Sequence, residues 1–121
     1  MPSNIEIGKF ETENFYEILS KLFTGKLTQN VQIQKTIMEA FRQKLVDSGE
    51  ISSKKFDKLY FNNTAMTDEQ IQFVARFLHC RILVLYEEEI KKFGRWNSTS
   101  SDRITLVLCF SDGKYSIVLN F

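Results

Sequence analysis

The chain has 121 residues, 43% of them hydrophobic and 26% charged. That balance excludes a disordered or fibrous polymer and fits one domain, expected to span residues 1–121, with a core of its own. A net charge of +1 and a pI near 7.7 argue against nucleic acid as a partner, since such binders show a basic face or a pI above about 9.

The first residues, Met1-Pro2-Ser3-Asn4-Ile5-Glu6, show neither the basic start nor the apolar run of a signal peptide. No segment reaches the ~18 apolar residues of a membrane helix, so no membrane contact is expected. The expected setting is cytoplasmic or nuclear. Asn62-Asn63-Thr64 and Asn97-Ser98-Thr99 match the glycosylation triplet, which matters only in a secreted chain. Eleven Phe predict a core built on large aromatic anchors.

A first helix is predicted over Glu13–Phe23, with Phe15, Ile18, Leu19 and Leu22 on one face and Gly25 as the stop. The second runs from about Gln29 to Ser48. Ile33, Ile37, Phe41 and Leu45 recur every fourth residue with Met38 beside them, and Gly49 is placed as a cap. Between Ser52 and Asn63 a short helix around Lys54–Tyr60 would turn Phe56, Leu59 and Tyr60 inward. Thr67 and Gln70 form a capping box for a third long helix, whose buried stripe is read as Ile71, Val74, Phe77 and Leu78.

Ile82-Leu83-Val84-Leu85-Tyr86 then reads as a strand covered on both faces, and Ile104–Phe110 as another central one. Asp112-Gly113 supplies a type I′ turn into a last strand on which Tyr115, Ile117, Leu119 and Phe121 alternate. The order of elements predicts an α+β fold.

Catalysis needs a nucleophile or metal, a proton carrier and a group that orients them. His79 is the single histidine and ends a helix; its neighbour Cys80 points the other way on entering a strand. Cys109 sits in an apolar strand, a poor setting for a thiolate. Glu87-Glu88-Glu89 is read as a solvated turn, with Lys91 and Lys92 at the spacing that pairs Glu with Lys on a helix. The five glycines stand apart, and none belongs to a phosphate loop. No cofactor and no metal are expected. Arg95-Trp96 is the binding candidate read from composition, because Arg and Trp dominate interface hot spots; the alternative is a Trp folded over a sheet edge.

Glu11-Thr12-Glu13-Asn14-Phe15-Tyr16-Glu17-Ile18-Leu19-Ser20 resembles the opening motif of the OTU (ovarian tumour) family of ubiquitin-cleaving cysteine proteases. There Asp-Gly-Asn-Cys precedes two aromatic or apolar residues and a helix. Val31–Val46, Thr67–Leu78 and Cys80–Tyr86 are similar to the family's next helix, the later helix and the central strand. Ile104–Phe110 and Gly113-Lys114-Tyr115-Ser116-Ile117-Val118 resemble its final strands, the last of which normally begins with His-Tyr.

The resemblance implies a papain-like, OTU-like domain with helices packed on a small, mostly antiparallel sheet. It also implies that Asn14 stands at the nucleophile's position and Lys114 at the base's. Thr12 replaces the motif's glycine, at the backbone turn that helps bind the oxyanion. An amide and an amine cannot form the thiolate–imidazole couple of a cysteine protease. The expectation is therefore a pseudoenzyme, a protein-interaction module for ubiquitin, a ubiquitin-like protein or a complex subunit. Its candidate contacts are Asn14, Phe15, Arg95, Trp96, Lys114 and Tyr115. Two alternatives are a diverged protease using Cys80 or Cys109, and an assembly subunit of viral or transposon origin.

Overall fold

A computed structural model describes residues 6–61, 66–96 and 104–120. The two glycosylation triplets, Ser98–Ser101 and Phe121 lie outside these residues. The chain begins with a strand that hydropathy did not disclose, β1 (Glu6–Thr12), followed by α1 (Phe15–Thr24) and α2 (Asn30–Asp47). A short α3 (Ser53–Phe56) runs into a π-helical turn at Asp57–Phe61, and α4 covers Asp68–Phe77. The strands β2 (Arg81–Leu85), β3 (Ile90–Phe93), β4 (Thr105–Ser111) and β5 (Lys114–Asn120) complete the described residues.

The strands form one sheet in the order β1-β5-β4-β2-β3. Only β2 and β4 pair in parallel; the other three pairings are antiparallel. The small α+β architecture read from the element order is the one observed. β4 lies at the centre and Leu108 is fully buried there. Asp112 and Gly113 both take positive φ, 54° and 76°, as the β4–β5 turn requires.

Two elements depart from the sequence reading. Glu87–Glu89 is an exposed turn as read, closed by the Tyr86 N–H donating to the Glu89 carbonyl, but Lys91 and Lys92 after it belong to a strand, β3, rather than to a helix. A four-residue strand with apolar residues only at its ends shows no period to detect. β1 is hidden for a related reason. Its pairing with β5 shifts register between Glu6 and Ile7 and again before Glu11, so its side chains do not alternate cleanly.

The α1 face is as spaced: Phe15, Ile18 and Leu19 are buried and Leu22 packs beside them. They meet Ile71, Val74, Ile82, Val84, Leu106 and Leu108 in the main core. On α4 the stripe at i, i+3, i+4 and i+7 runs through Ile71, Val74, Ala75 and Leu78. Phe77 falls off it, is 40% exposed and stacks on Phe73. Leu59 is likewise exposed, because the wider π-helical turn rotates it away from Phe56. A second cluster joins Phe41, Leu45 and Phe56. Phe41 meets the rings of Phe56, Tyr60 and Phe73 at 5.7, 5.3 and 5.0 Å. The phenylalanine count is thus spent largely on aromatic packing.

Gly94, just beyond β3, has φ +96° and no room for a side chain: a Cβ would lie 2.6 Å from the Cys80 carbonyl oxygen. Gly25, the α1 cap, also has positive φ (+75°), but a Cβ there meets nothing within 4 Å. Gly25→Ala should cost about 1 kcal/mol of left-handed backbone strain, and Gly94→Ala at least about 3 kcal/mol because overpacking adds to that strain. Urea unfolding of both variants checks this; equal losses would contradict the packing assigned to Gly94.

Candidate functional site

β1 delivers the chain straight to α1. Thr12 pairs with Tyr115 and Glu11 with Ser116 on the β1–β5 ladder. Continuing that antiparallel register brings the residues just after β1 beside those that open β5. Asn14 and Lys114 accordingly line one cleft of about 510 Å³. Its remaining walls are Glu11, Thr12, Glu13, Tyr16 and Glu17 on one side, and Gln34, Met38, Tyr60, Met66 and Gln70 on the other, with Phe15 at the floor.

Asn14, Thr12 and Lys114 are already engaged. Asn14 is the N-cap of α1: its Oδ1 accepts from the Tyr16 N–H at 2.9 Å, and its carbonyl accepts from the Glu17 N–H at 3.1 Å. The Asn14 N–H in turn donates to Thr12 Oγ1 at 3.0 Å. Lys114 Nζ lies 3.8 Å from a Glu11 carboxylate oxygen. A lysine ammonium carries three donors and no acceptor, so it cannot take a proton from a neighbour. Three glutamates and one lysine give the cleft an acidic rim.

The other sequence-derived site residues are distributed unevenly. Phe15 and Tyr115, 1% and 5% exposed, pack against each other edge to face at 5.3 Å, and Tyr115 also meets Phe110 at 4.7 Å. Both are core residues beneath the cleft and present almost no surface. Arg95 and Trp96 follow β3, at the opposite edge of the sheet from β1. Trp96 folds back, its Nε1–H donating to the Phe93 carbonyl at 2.8 Å. The structure does not bring these two to the cleft.

The chain's two thiols and its imidazole also lie elsewhere. Cys80 enters β2 and Cys109 sits on β4, both buried, and burial pushes the Cys109 thiol above its usual pKa. His79 is exposed at the end of α4, with φ +53° and its N–H donating to the Arg76 carbonyl. Thr12, named from the resemblance at the turn beside Asn14, does line the cleft, whereas Glu11, Tyr16 and Tyr60 were missed as cleft residues. The one legible signal was a Thr-x-Asn step ahead of an apolar helix, which favours a turn followed by an N-cap.

No family model and no curated protein matches the sequence. Solved structures do match. The OTUD1 OTU domain superposes with a TM-score of 0.71 at 15% identity, over 97% of this chain and 87% of that one. The fold is that of an OTU domain. The viral OTU domain protease from Dera Ghazi Khan virus gives a TM-score of 0.61 at 18% identity, covering 97% and 81% of the two chains. An OTU deubiquitinase from Wolbachia pipientis gives 0.54 at 12%, covering 99% and 91%. At these identities the likeness is one of OTU fold.

Asn14→Ala should lower stability by about 1 kcal/mol through loss of the α1 cap, whereas Asn14→Asp, which keeps an acceptor at a helix N-terminus, should not. Thermal melts of the pair check this; identical melts would remove the capping role.

Burial raises the Tyr16 pKa to about 12 and raises that of Tyr115 as well. The unfolded chain loses these protons near pH 10 while the folded chain retains them, so the tyrosines leave stability flat below pH 10. Stability then falls as pH rises from about 10 to 12, by about 2–3 kcal/mol for Tyr16. Urea titrations across that range should show a shallower fall for Tyr16→Phe; an unchanged slope would contradict the assignment.

Proposed function

We propose that this chain is an OTU-fold protein-binding module without protease activity, whose partner is ubiquitin, a ubiquitin-like protein or a subunit of a larger complex. The observation that carries the reading is the meeting of Asn14 and Lys114 in one cleft, where the motif resemblance puts a thiol and an imidazole. The neighbours by fold include a deubiquitinase and a viral OTU protease, which favours a protein as the occupant. The cleft's hydrogen-bonding groups support the loss of chemistry. Asn14 caps a helix, Thr12 takes up its amide, and Lys114 faces Glu11. An oxyanion would have to displace those contacts before it could be held.

A protease that used Cys80 or Cys109 is disfavoured by their burial. A reactive thiolate requires an electropositive, partly exposed setting. Among the described residues no three His, Cys, Asp or Glu side chains gather as a metal site would need, and no helix there is long and apolar enough to cross a membrane.

Ubiquitin, single and as chains, should bind saturably in a calorimetric titration, and Lys114→Glu should weaken that binding severalfold. An electrophilic ubiquitin probe should leave both cysteines unmodified by mass spectrometry. Silence at millimolar ubiquitin removes ubiquitin from the partners, and a probe adduct on Cys80 or Cys109 overturns the inactive reading.

A further inference from the structure

Arg95 and Trp96 stand apart from the cleft, and the residues around them form a surface of their own. Ile82 and Phe93 are paired and both belong to the main core. Strand alternation therefore turns Arg81, Leu83 and Lys92 to the sheet face opposite the helices. Trp96 packs over that face with the Arg81 guanidinium 5.7 Å and the Lys92 ammonium 5.2 Å from its ring. Arg81 Nε donates to the Arg95 carbonyl at 3.3 Å, which holds the loop against the strand.

The frame is rigid on its inner side too. The Gly94 N–H donates to Gln72 Oε1 at 2.8 Å, and the Gly94 backbone sits tightly against Cys80. Two cations, Arg81 and Lys92, are thus set against one tryptophan before any partner arrives, which lowers the ordering cost of binding. Lys92 and Arg95 are exposed, and among the described residues neither enters an ion pair.

We propose that this Trp96-centred basic surface is a second docking site, and that it takes a carboxylate-rich segment of a partner protein. Arg and Trp are the residues that dominate interface energetics, and the exposed cations Lys92 and Arg95 beside Trp96 complement a short run of carboxylates. A net charge of only +1 supplies no extended field for a phosphate backbone, so the segment is protein and not nucleic acid. From β5, which carries Lys114, to β3 is three strand spacings, about 14 Å. The surface is thus separate from the cleft, and the proposal does not rest on the reading of the cleft.

Trp96 is the chain's single tryptophan, so its emission reports directly on this surface. A short poly-glutamate peptide titrated at low salt should change that emission saturably, and added salt should weaken the effect. The double variant Lys92→Glu with Arg95→Glu should weaken binding by at least about tenfold, while Lys114→Glu, in the cleft, should leave the curve unchanged. If the charge reversals fail to fold, as circular dichroism would reveal, Lys92→Gln serves and should still weaken binding. No saturable change, equal affinity in the Lys92 and Arg95 variants, or tighter binding of an oligothymidylate of equal charge would each overturn the proposal.

Discussion

The edge-to-face contact between Phe15 and Tyr115 fixes the relation on which the cleft depends. Phe15 opens α1 and Tyr115 is the second residue of β5, so one contact ties the start of the main-core helix to the start of the closing strand. Such a pair contributes about 0.5–1.5 kcal/mol beyond the area it buries. Its larger effect is positional. With Thr12 already opposite Tyr115 on the ladder, the intervening chain has only two residues in which to leave the sheet and begin a helix. Thr12 and Asn14 make that turn: Thr12 Oγ1 accepts from the Asn14 N–H, and Asn14 accepts from the first amides of α1. The cleft is what remains beside this corner.

That economy bears on chemistry. A group that caps a helix in the resting protein is unavailable to a substrate unless the helix end is disturbed. At this corner the acceptor of Asn14 and its own amide are both committed to holding α1 in place. The same atoms cannot readily serve stability and an oxyanion. The fold is that of its structural neighbours, and the hydrogen bonds at this corner hold the start of α1. Charge divides the molecule in a parallel way, with glutamates around the cleft and Arg81 and Lys92 against Trp96 at the far edge of the sheet.

Much of this was legible in the residues wherever one period ran long enough. The α2 face, the Thr67 capping box and the Asp112-Gly113 turn all follow from local rules, and all are present. Short or irregular elements escaped. β3 offers four residues and β1 two register shifts, and neither leaves a pattern against which polar residues could be weighed. Phe77 and Leu59 were assigned inward on hydrophobicity alone, although helix phase and the π-helical turn point them outward. The cleft was legible only as two sequence positions, 14 and 114. That Glu11 would lie beside Lys114 depends on how β1 pairs with β5, a long-range contact that no local pattern encodes.

The convergence of those two positions is open to a direct distance measurement. A nitroxide attached to Lys114→Cys, with the buried native thiols left unlabelled, will broaden nearby amide resonances in solution. The account predicts the strongest broadening at residues 12–17 and at Gln34 and Tyr60 across the cleft. Sharp signals at Asn14 and Tyr16, with broadening confined to other parts of the chain, would contradict it.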